Sequence, residues 1–198
     1  MTADMNDPRT FWDGIFGSSE DHIYGTEPNA FLRAQAARLP PRGRALAVAD
    51  GEGRNGVWLA TQGLTVTSVD LSRVGIDKAR RLAAGRGVAL DARFGDVLDR
   101  PWGDERFAVV ASIFLHSRPH VRPRLHATLA EALAPGGLLI LEAFHRRQLG
   151  RPSGGPQEAE LLFDADLLRA DFAGLDVLEL SEVEALLDEG AKHRGPAE

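Results

Sequence analysis

Apolar and polar residues recur along this chain with two periods, that of a strand and that of a helix. Helix-sized segments with one apolar face follow Gly53 and Ser72, and a third runs from about Pro119 to Ala134. Short apolar runs between them predict strands at Ala45–Ala49, Thr65–Asp70, Ala89–Phe94, Phe107–Phe114 and Leu138–Phe144. Strands that alternate with helices imply right-handed crossovers, so the pattern predicts an α/β fold with a mostly parallel, doubly wound sheet and helices on both faces.

Two shorter helices precede this region. Asp7 is a suitable N-cap, Pro8 suits the first helical position and Gly17 ends the first helix, while the second helix spans about residues 26–39. The first helix carries a dense aromatic face, made of Phe11, Trp12, Ile15 and Phe16. This face either covers a hydrophobic edge of the protein or forms a lid over a small-molecule site.

The C-terminal part begins with an irregular segment rich in glycine and proline, residues 146–160. Loops of this length inside a compact domain are usually functional or mobile. A helix at about Asp164–Phe172 and a strand at about Leu175–Leu187 follow. The length of 198 residues, enough for one α/β core but short for two, predicts a single domain.

Composition and charge exclude several classes of protein. A net charge of −6, with acids and bases mixed along the 198 residues, argues against a nucleic-acid partner. The absence of cysteine excludes disulfides and thiolate metal ligands, and we expect no metal site. Because the N-terminus does not resemble a signal peptide and no apolar run approaches about 18 residues, we expect a cytoplasmic protein with no membrane partner.

The most informative stretch is Arg44–Gly56, RALAVADGEGRNG. Its small, apolar first half predicts a buried parallel strand, and Gly51, Gly53 and Gly56 then lead directly into a helix. Glycine permits a sharp turn and brings bare backbone close to a ligand, which the free N–H groups of the helix N-terminus also face. The stretch therefore predicts a loop that binds a nucleotide or a nucleoside.

Two kinds of ligand fit this loop. The glycine spacing, with Asp70 about 20 residues after the first glycine, is also that of a dinucleotide site. Asp50 and Glu52 would oppose the charge of a pyrophosphate, whereas the sulfonium of S-adenosylmethionine tolerates carboxylates. With that ligand Asp70 accepts hydrogen bonds from the ribose hydroxyls and Asp96 accepts one from the adenine amino group. The alternatives are that Asp70 caps a helix with Ser72 and that Asp96 only forms a turn.

Five ordered motifs resemble a known family. They are ALAVADGEGRNGVWLA, VTSVDLS, FGDV, FAVVASIFLH and LAPGGLLILEAF. They are similar to motifs of the class I S-adenosylmethionine-dependent methyltransferases, and FWDGIF, YGTEPNAFL, GEGRN and QLGRPSGGP resemble a bacterial branch near the thiopurine and tellurite-resistance methyltransferases. The resemblance covers nearly the whole chain. It implies a Rossmann-like enzyme that methylates a small-molecule substrate and releases S-adenosylhomocysteine, with the cofactor across the carboxyl ends of the first strands.

The resemblance also implies which residues contact the cofactor. Trp12 belongs to the lid, and Tyr24 lies beside the cofactor and the substrate. The other implied contacts are Asp50, Gly51, Gly53, Arg54, Asn55, Asp70, Leu71, Asp96, Val97 and Ile113. The single domain then divides into an N-terminal lid at 1–40, a cofactor-binding core at 44–145, and a substrate loop with a C-terminal strand region at 146–198.

The chain departs from the family pattern in two respects. Ala47 and Ala49 occupy the places of the usual first-strand acid and first loop glycine, so Asp50 or Glu52 with Arg54 are the candidates to hold the cofactor's amino-acid tail. The family's seventh, antiparallel strand is missing or incomplete, either because the sequence is truncated or because the sheet is completed in another way. Exposed sheet edges favour pairing with a second copy of the chain as a homodimer.

Histidines are the candidates for a catalytic base. Methyl transfer is an in-line displacement that needs alignment and exclusion of water, and a base helps only an oxygen or nitrogen acceptor, not a thiolate or other soft nucleophile. His116 follows the fourth predicted strand and His145 the fifth, and we take both as candidate catalytic residues. The alternatives are a polar strand end for His116 and an anion-binding role for His145. His193, near the C-terminus, is a third and weaker candidate.

Two other functions stay open. A protein that binds the cofactor without catalysis would explain Ala47 and Ala49, and an NAD(P)-dependent oxidoreductase would use the same glycine spacing. For the leading function, the sequence leaves the acceptor atom open among sulfur, oxygen, nitrogen and a chalcogen.

Overall fold

A computed structural model describes residues 7–198 of the chain. Five parallel strands form the main sheet in the order β3-β2-β1-β4-β5. Their bounds are β1 Arg44–Val48, β2 Thr65–Asp70, β3 Asp91–Phe94, β4 Phe107–Ile113 and β5 Leu133–Glu142. The predicted α/β fold, Rossmann-like with a doubly wound and mostly parallel sheet, is confirmed.

Six α-helices accompany the sheet in this part of the chain. They are α1 Pro8–Phe16, α2 Ala30–Ala34, α3 Arg54–Thr61, α4 Arg73–Gly85, α5 Arg122–Ala132 and α6 Ala165–Asp171. The predicted cap of α1 is confirmed, since the Asp7 side chain accepts a hydrogen bond from Arg9 N. The second helix is shorter than predicted, because Asn29 caps it through Leu32 N and the chain tightens into a 3-10 turn at Ala36–Arg38.

The side chains of β1 alternate between two apolar cores, one on each face of the sheet. Leu46 and Val48 pack in one core with Leu125 and Leu129 of α5. Ala45 points into the other core, together with Leu32 of α2 and Leu59 of α3. This alternation is what a strand between two helical layers requires. None of the helices within residues 7–198 has the length and apolar character needed to cross a membrane.

Asp50 holds the loop between β1 and α3 from the inside. The residue is 7% exposed, and its carboxylate accepts hydrogen bonds from Ser68 Oγ of β2 at 2.8 Å and from Gly56 N at 3.2 Å. A Cβ on Gly56 would lie 2.4 Å from Asp50 Oδ2, and one on Gly53 would lie 2.5 Å from Cβ of Ala79 in α4. Two of the three loop glycines therefore serve the internal packing of the loop.

The predicted strand at Leu175–Leu187 is wrong over most of its length. Only Ala185–Asp188 is a strand, β6, and it pairs antiparallel with β7, Arg194–Ala197, in a separate hairpin. Residues 175–184, all within the described part, form no strand, because no neighbouring strand offers their backbone a ladder of hydrogen bonds. Among the described residues, the main sheet therefore ends at β5.

Replacing Asp50 with asparagine tests whether this buried carboxyl contributes to the pH dependence of stability. Burial raises the pKa of Asp50 to about 7, although the hydrogen bonds from Ser68 and Gly56 oppose this. Between about pH 4 and pH 7 the Asp50 carboxyl of the folded protein keeps a proton that the unfolded chain releases. The stabilisation by this bound proton is therefore full below about pH 4 and is lost as the pH rises to about 7. In urea unfolding, the Asp50→Asn variant should gain stability relative to the wild type by on the order of a few kcal/mol from pH 4 to pH 8.

The matched control is Asp99→Asn, which removes a carboxylate that is exposed. Its unfolding free energy should follow the wild-type pH profile. An Asp50→Asn profile that also runs parallel to the wild type would show that Asp50 does not bind this proton in the folded state.

Candidate functional site

The carboxyl ends of β1 and β4 meet at one edge of the sheet, where the backbone adopts two unusual conformations. Ala49 has φ +48° and Phe114 has φ +56°, both left-handed although neither residue is glycine. Such a conformation costs roughly 1–2 kcal/mol for a residue with a Cβ, and it is found preferentially at functional sites. In open parallel sheets ligands bind at this edge. We therefore take it as the candidate active site.

Asp70 ends β2 and holds the glycine loop at this edge. Its Oδ2 accepts from Gly51 N at 2.8 Å and its Oδ1 accepts from Ser72 N at 2.7 Å. Burial raises its pKa to about 6, against these two hydrogen bonds. Each carboxylate oxygen has a second lone pair, so Asp70 can accept from a ligand while it holds the loop. The helix cap of α4 itself falls to Ser72, whose Oγ accepts from Gly75 N.

Asp96 follows β3 and begins a 3-10 turn at Val97–Asp99. One of its oxygens, Oδ1, accepts from Leu98 N at 2.8 Å. The turn therefore occupies one oxygen of a carboxylate that is only half-buried. The neighbouring predicted contacts, Val97 and Ile113, are buried in the apolar cores, and Leu71 directly follows β2.

The two acids of the glycine loop point inward. Glu52 forms a buried ion pair with Lys78 of α4 at 2.8 Å, and its other oxygen accepts from Ile23 N at 2.8 Å and from Tyr24 N at 3.3 Å. Asp50 is equally enclosed. The sequence predicted that these carboxylates face the ligand and would repel a pyrophosphate. That prediction is wrong, because both carboxylates are bound by groups inside the protein.

Arg54, the first residue of α3, reaches across to the C-terminal hairpin. Its Nη2 donates to Glu189 at 2.7 Å, and both side chains are buried. Its Nη1 is buried and finds no hydrogen-bond partner within residues 7–198. An unpartnered guanidinium N–H beside the glycine loop suits the carboxylate of the cofactor's amino-acid tail. Ala47, where the family resemblance expects an acid, is buried inside the sheet.

Asn29 connects the glycine loop to β5. Its backbone N donates to Asn55 Oδ1 at 2.9 Å, and its side-chain amide donates to Glu142 Oε2 at 2.5 Å and to Glu189 Oε1 at 3.0 Å. Asn55, a predicted cofactor contact, thus supports the loop with its side chain. Two carboxylates from distant parts of the chain, those of Glu142 and Glu189, therefore share one amide.

A row of aromatic side chains covers the same edge. It runs through Trp12, Phe16, Tyr24, His193 and Phe114, with ring centroids 4.6 to 6.2 Å apart. The ring of Phe16 lies against Gly51, where a Cβ would be 2.8 Å from it, and Asp13 of α1 accepts from Ser72 Oγ at 2.5 Å. Helix α1 therefore rests on the glycine loop. Aromatic faces in this position suit a sulfonium through cation–π attraction.

The two predicted catalytic histidines are both engaged with the protein. His116 Nδ1 donates to Leu161 O at 2.7 Å and its Nε2 accepts from Phe144 N at 3.2 Å, while burial lowers its pKa to about 4. This geometry favours the structural alternative, in which His116 is a polar residue at the end of a strand, because both of its ring nitrogens are engaged with backbone groups. His145 Nδ1 accepts from Arg147 N, and its Nε2 lies 3.4 Å from Glu182.

The sequence analysis missed Glu142 and Glu189 as parts of the site. The sequence does contain a signal for Glu142, because this acid ends the otherwise apolar run LLILE. Glu189 had none, since it reaches Arg54 only because the β6–β7 hairpin folds back over the sheet edge. The same hairpin places His193 against Tyr24.

Comparison with known proteins supports the assignment of this edge. A family model described as a methyltransferase domain matches residues 45–137, which include the glycine loop, Asp70 and Asp96. No match is found among curated proteins.

Three solved structures illustrate the similarity. TehB from Haemophilus influenzae is 17% identical with a TM-score of 0.71, over 94% of this chain and 64% of that one. A protein studied for the conversion of a disulfide bond into a thioacetal group during echinomycin biosynthesis is 24% identical with a TM-score of 0.69, over 85% and 78%. An S-adenosylmethionine-dependent methyltransferase from Thiobacillus denitrificans, solved with S-adenosylhomocysteine, is 26% identical with a TM-score of 0.55, over 75% and 60%.

The first two structures share the fold, and the third shares both the fold and enough sequence to support the cofactor. The chain spans less than two thirds of the length of the Haemophilus and Thiobacillus proteins. The family match covers the strands and the loop that form the candidate site. Residues 45–137 of this chain therefore carry a methyltransferase domain, and the chain shares its fold with S-adenosylmethionine-dependent methyltransferases.

Proposed function

We propose that this enzyme transfers the methyl group of S-adenosylmethionine to a small-molecule acceptor. The observation that carries the proposal is a cavity of about 130 Å³ at the carboxyl ends of β4 and β5, lined by Phe114 and Glu142. Since a single water needs about 10–15 Å³ on this measure, the cavity has room for a molecule of about ten non-hydrogen atoms. Such an enclosure fits a small molecule better than a protein or nucleic-acid chain.

For the cofactor we propose three points of attachment. Asp70 accepts from the ribose hydroxyls, Asp96 accepts from the adenine amino group and Arg54 Nη1 binds the carboxylate of the amino-acid tail. Support comes from the spare lone pairs of the two carboxylates and from the unpartnered, buried Nη1. When bound, S-adenosylmethionine supplies an electrophilic methyl group on a sulfonium.

The residues of the chain then align the reactants and exclude water. Helix α1 with Trp12 acts as the lid, and Phe114 and Tyr24 border the transfer site. We propose the same division of the single domain into an N-terminal lid, a cofactor-binding core and a C-terminal substrate region. A cytoplasmic location, a homodimeric state and the absence of nucleic-acid and membrane partners stay predictions from the sequence.

Replacing Asp70 with asparagine tests the ribose assignment. The substitution keeps the size of the side chain but removes a charged acceptor, so the Kd for S-adenosylhomocysteine in calorimetry should rise by roughly 10- to 100-fold. Asp77→Asn, which changes an exposed acid on α4, is the matched control and should bind like the wild type. Thermal unfolding checks that both variants are folded. Unchanged affinity in folded Asp70→Asn would refute the assignment.

Methyl transfer to a cell extract tests the acceptor class. Wild-type enzyme is incubated with methyl-labelled S-adenosylmethionine and a bacterial extract that has been separated by size into metabolites and macromolecules. Because the cavity is small, label should appear in the metabolite fraction, and the Asp70→Asn variant should transfer little. Label confined to the protein or nucleic-acid fraction would contradict a small-molecule acceptor.

A further inference from the structure

The cavity at the ends of β4 and β5 has an apolar body. It lies between β5 and the segment 179–187 that leads into the C-terminal hairpin. Its apolar wall is formed mainly by Phe31, Phe114, Phe144, Phe163, Leu168 and Leu187. An aromatic or branched aliphatic group would therefore gain free energy by moving from water into this space.

Five carboxylates also line the cavity, and all but one are paired with an arginine. The pairs are Asp164 with Arg146, Glu179 with Arg38, Glu182 with Arg147, and Glu198 with Arg151. The fifth, Glu142, has no cationic partner closer than 4 Å in the part of the chain that the structure describes. The cavity thus contains one acid whose charge the protein itself does not pair.

The surroundings of Glu142 make that charge unfavourable. Its Oε2 accepts from Asn29, which also binds Glu189, and Arg54, whose charge also acts on Glu142, is paired with Glu189. Burial, helped by the charge of Glu189, raises the pKa of Glu142 to about 7, while the hydrogen bond from Asn29 and the charge of Arg54 oppose the shift. A cation beside Glu142 would relieve this cost.

We infer that the cavity takes an apolar molecule bearing one basic amine, and that Glu142 binds this amine. The inference rests on the proposed small-molecule methyl transfer and narrows its acceptor class. An alcohol would leave the carboxylate of Glu142 unpaired, and an anion would be repelled by it. Glu142 is therefore the residue that determines specificity within this pocket.

The position of Glu142 connects the amine to the transfer site. Glu142 pairs with Ile113 in the sheet, and Phe114 N donates to its backbone O at 2.7 Å. An amine held by its side chain thus lies beside the end of β4. There the proton passes from the ammonium nitrogen to the Glu142 carboxylate, and the freed nitrogen lone pair would form the new N–C bond. The S–C bond of the sulfonium would break at the same time, and its electron pair would stay on the sulfur of S-adenosylhomocysteine.

Three probes that share one apolar body test this inference. They are 2-phenylethylamine, 2-phenylethanol and phenylacetate, titrated by calorimetry at pH 8 into the full chain with saturating S-adenosylhomocysteine. The amine should bind at least about tenfold more tightly than the alcohol, and phenylacetate should bind weakest. In Glu142→Gln, which keeps an oxygen to accept from Asn29, this preference for the amine should fall to less than about threefold.

Two further variants complete the design. Glu184→Gln removes an exposed acid outside the cavity and should retain the full preference. Leu168→Trp fills the cavity and should abolish binding of both the amine and the alcohol, with S-adenosylhomocysteine binding unchanged.

Equal affinity for the amine and the alcohol, unchanged amine affinity in Glu142→Gln, or no binding of any probe at millimolar concentration would overturn the inference. A failure to bind S-adenosylhomocysteine would instead contradict the cofactor assignment, so the two failures are distinguishable.

Discussion

The buried ion pair between Glu52 and Lys78 is the interaction on which the shape of the cofactor edge depends. The two side chains are each 3% exposed and their charged atoms are 2.8 Å apart. Glu52 also accepts from the backbone of Ile23 and Tyr24, so one carboxylate fixes the glycine loop, helix α4 and the segment that follows the lid helix. Removing either partner would leave a buried charge uncompensated, at a cost of about 3–5 kcal/mol.

The C-terminal hairpin completes this arrangement from the other side. Its turn fits against Ile23 and Tyr24 so closely that a Cβ on Gly190 would lie 2.4 Å from Ile23 O. Glu189 beside it joins Arg54 and Asn29, which links the loop, the second helix and β5. The site is therefore assembled from segments more than a hundred residues apart in sequence. Its polar groups are shared between these segments, while Nη1 of Arg54 has no hydrogen-bond partner among the described residues.

The two acids of the glycine loop, Asp50 and Glu52, point into the protein, so they are not the reason that the loop binds S-adenosylmethionine. Asp50 and Glu52 favour a sulfonium over a pyrophosphate only if they face the ligand, and instead both are turned into the protein. The assignment holds for other reasons, namely the ordered motifs, the match to a methyltransferase domain and the carboxylate of Asp70 at the end of β2. Buried acids are costly unless they are paired, so the fold uses these two to tie elements together.

The sequence by itself determined the parallel sheet, its helices and the glycine loop, because these depend on short-range patterns of apolar residues, caps and turns. It also located Asp70 and Asp96, since Asp70 ends a predicted strand and Asp96 stands in the turn after the next one. Only the tertiary structure decided that both ring nitrogens of His116 bind backbone groups and that residues 175–184 pair with no strand. It also decided that Glu142 lies beside Asn29, which binds Glu189 as well. Those outcomes depend on partners far away in the chain, and no local pattern specifies them.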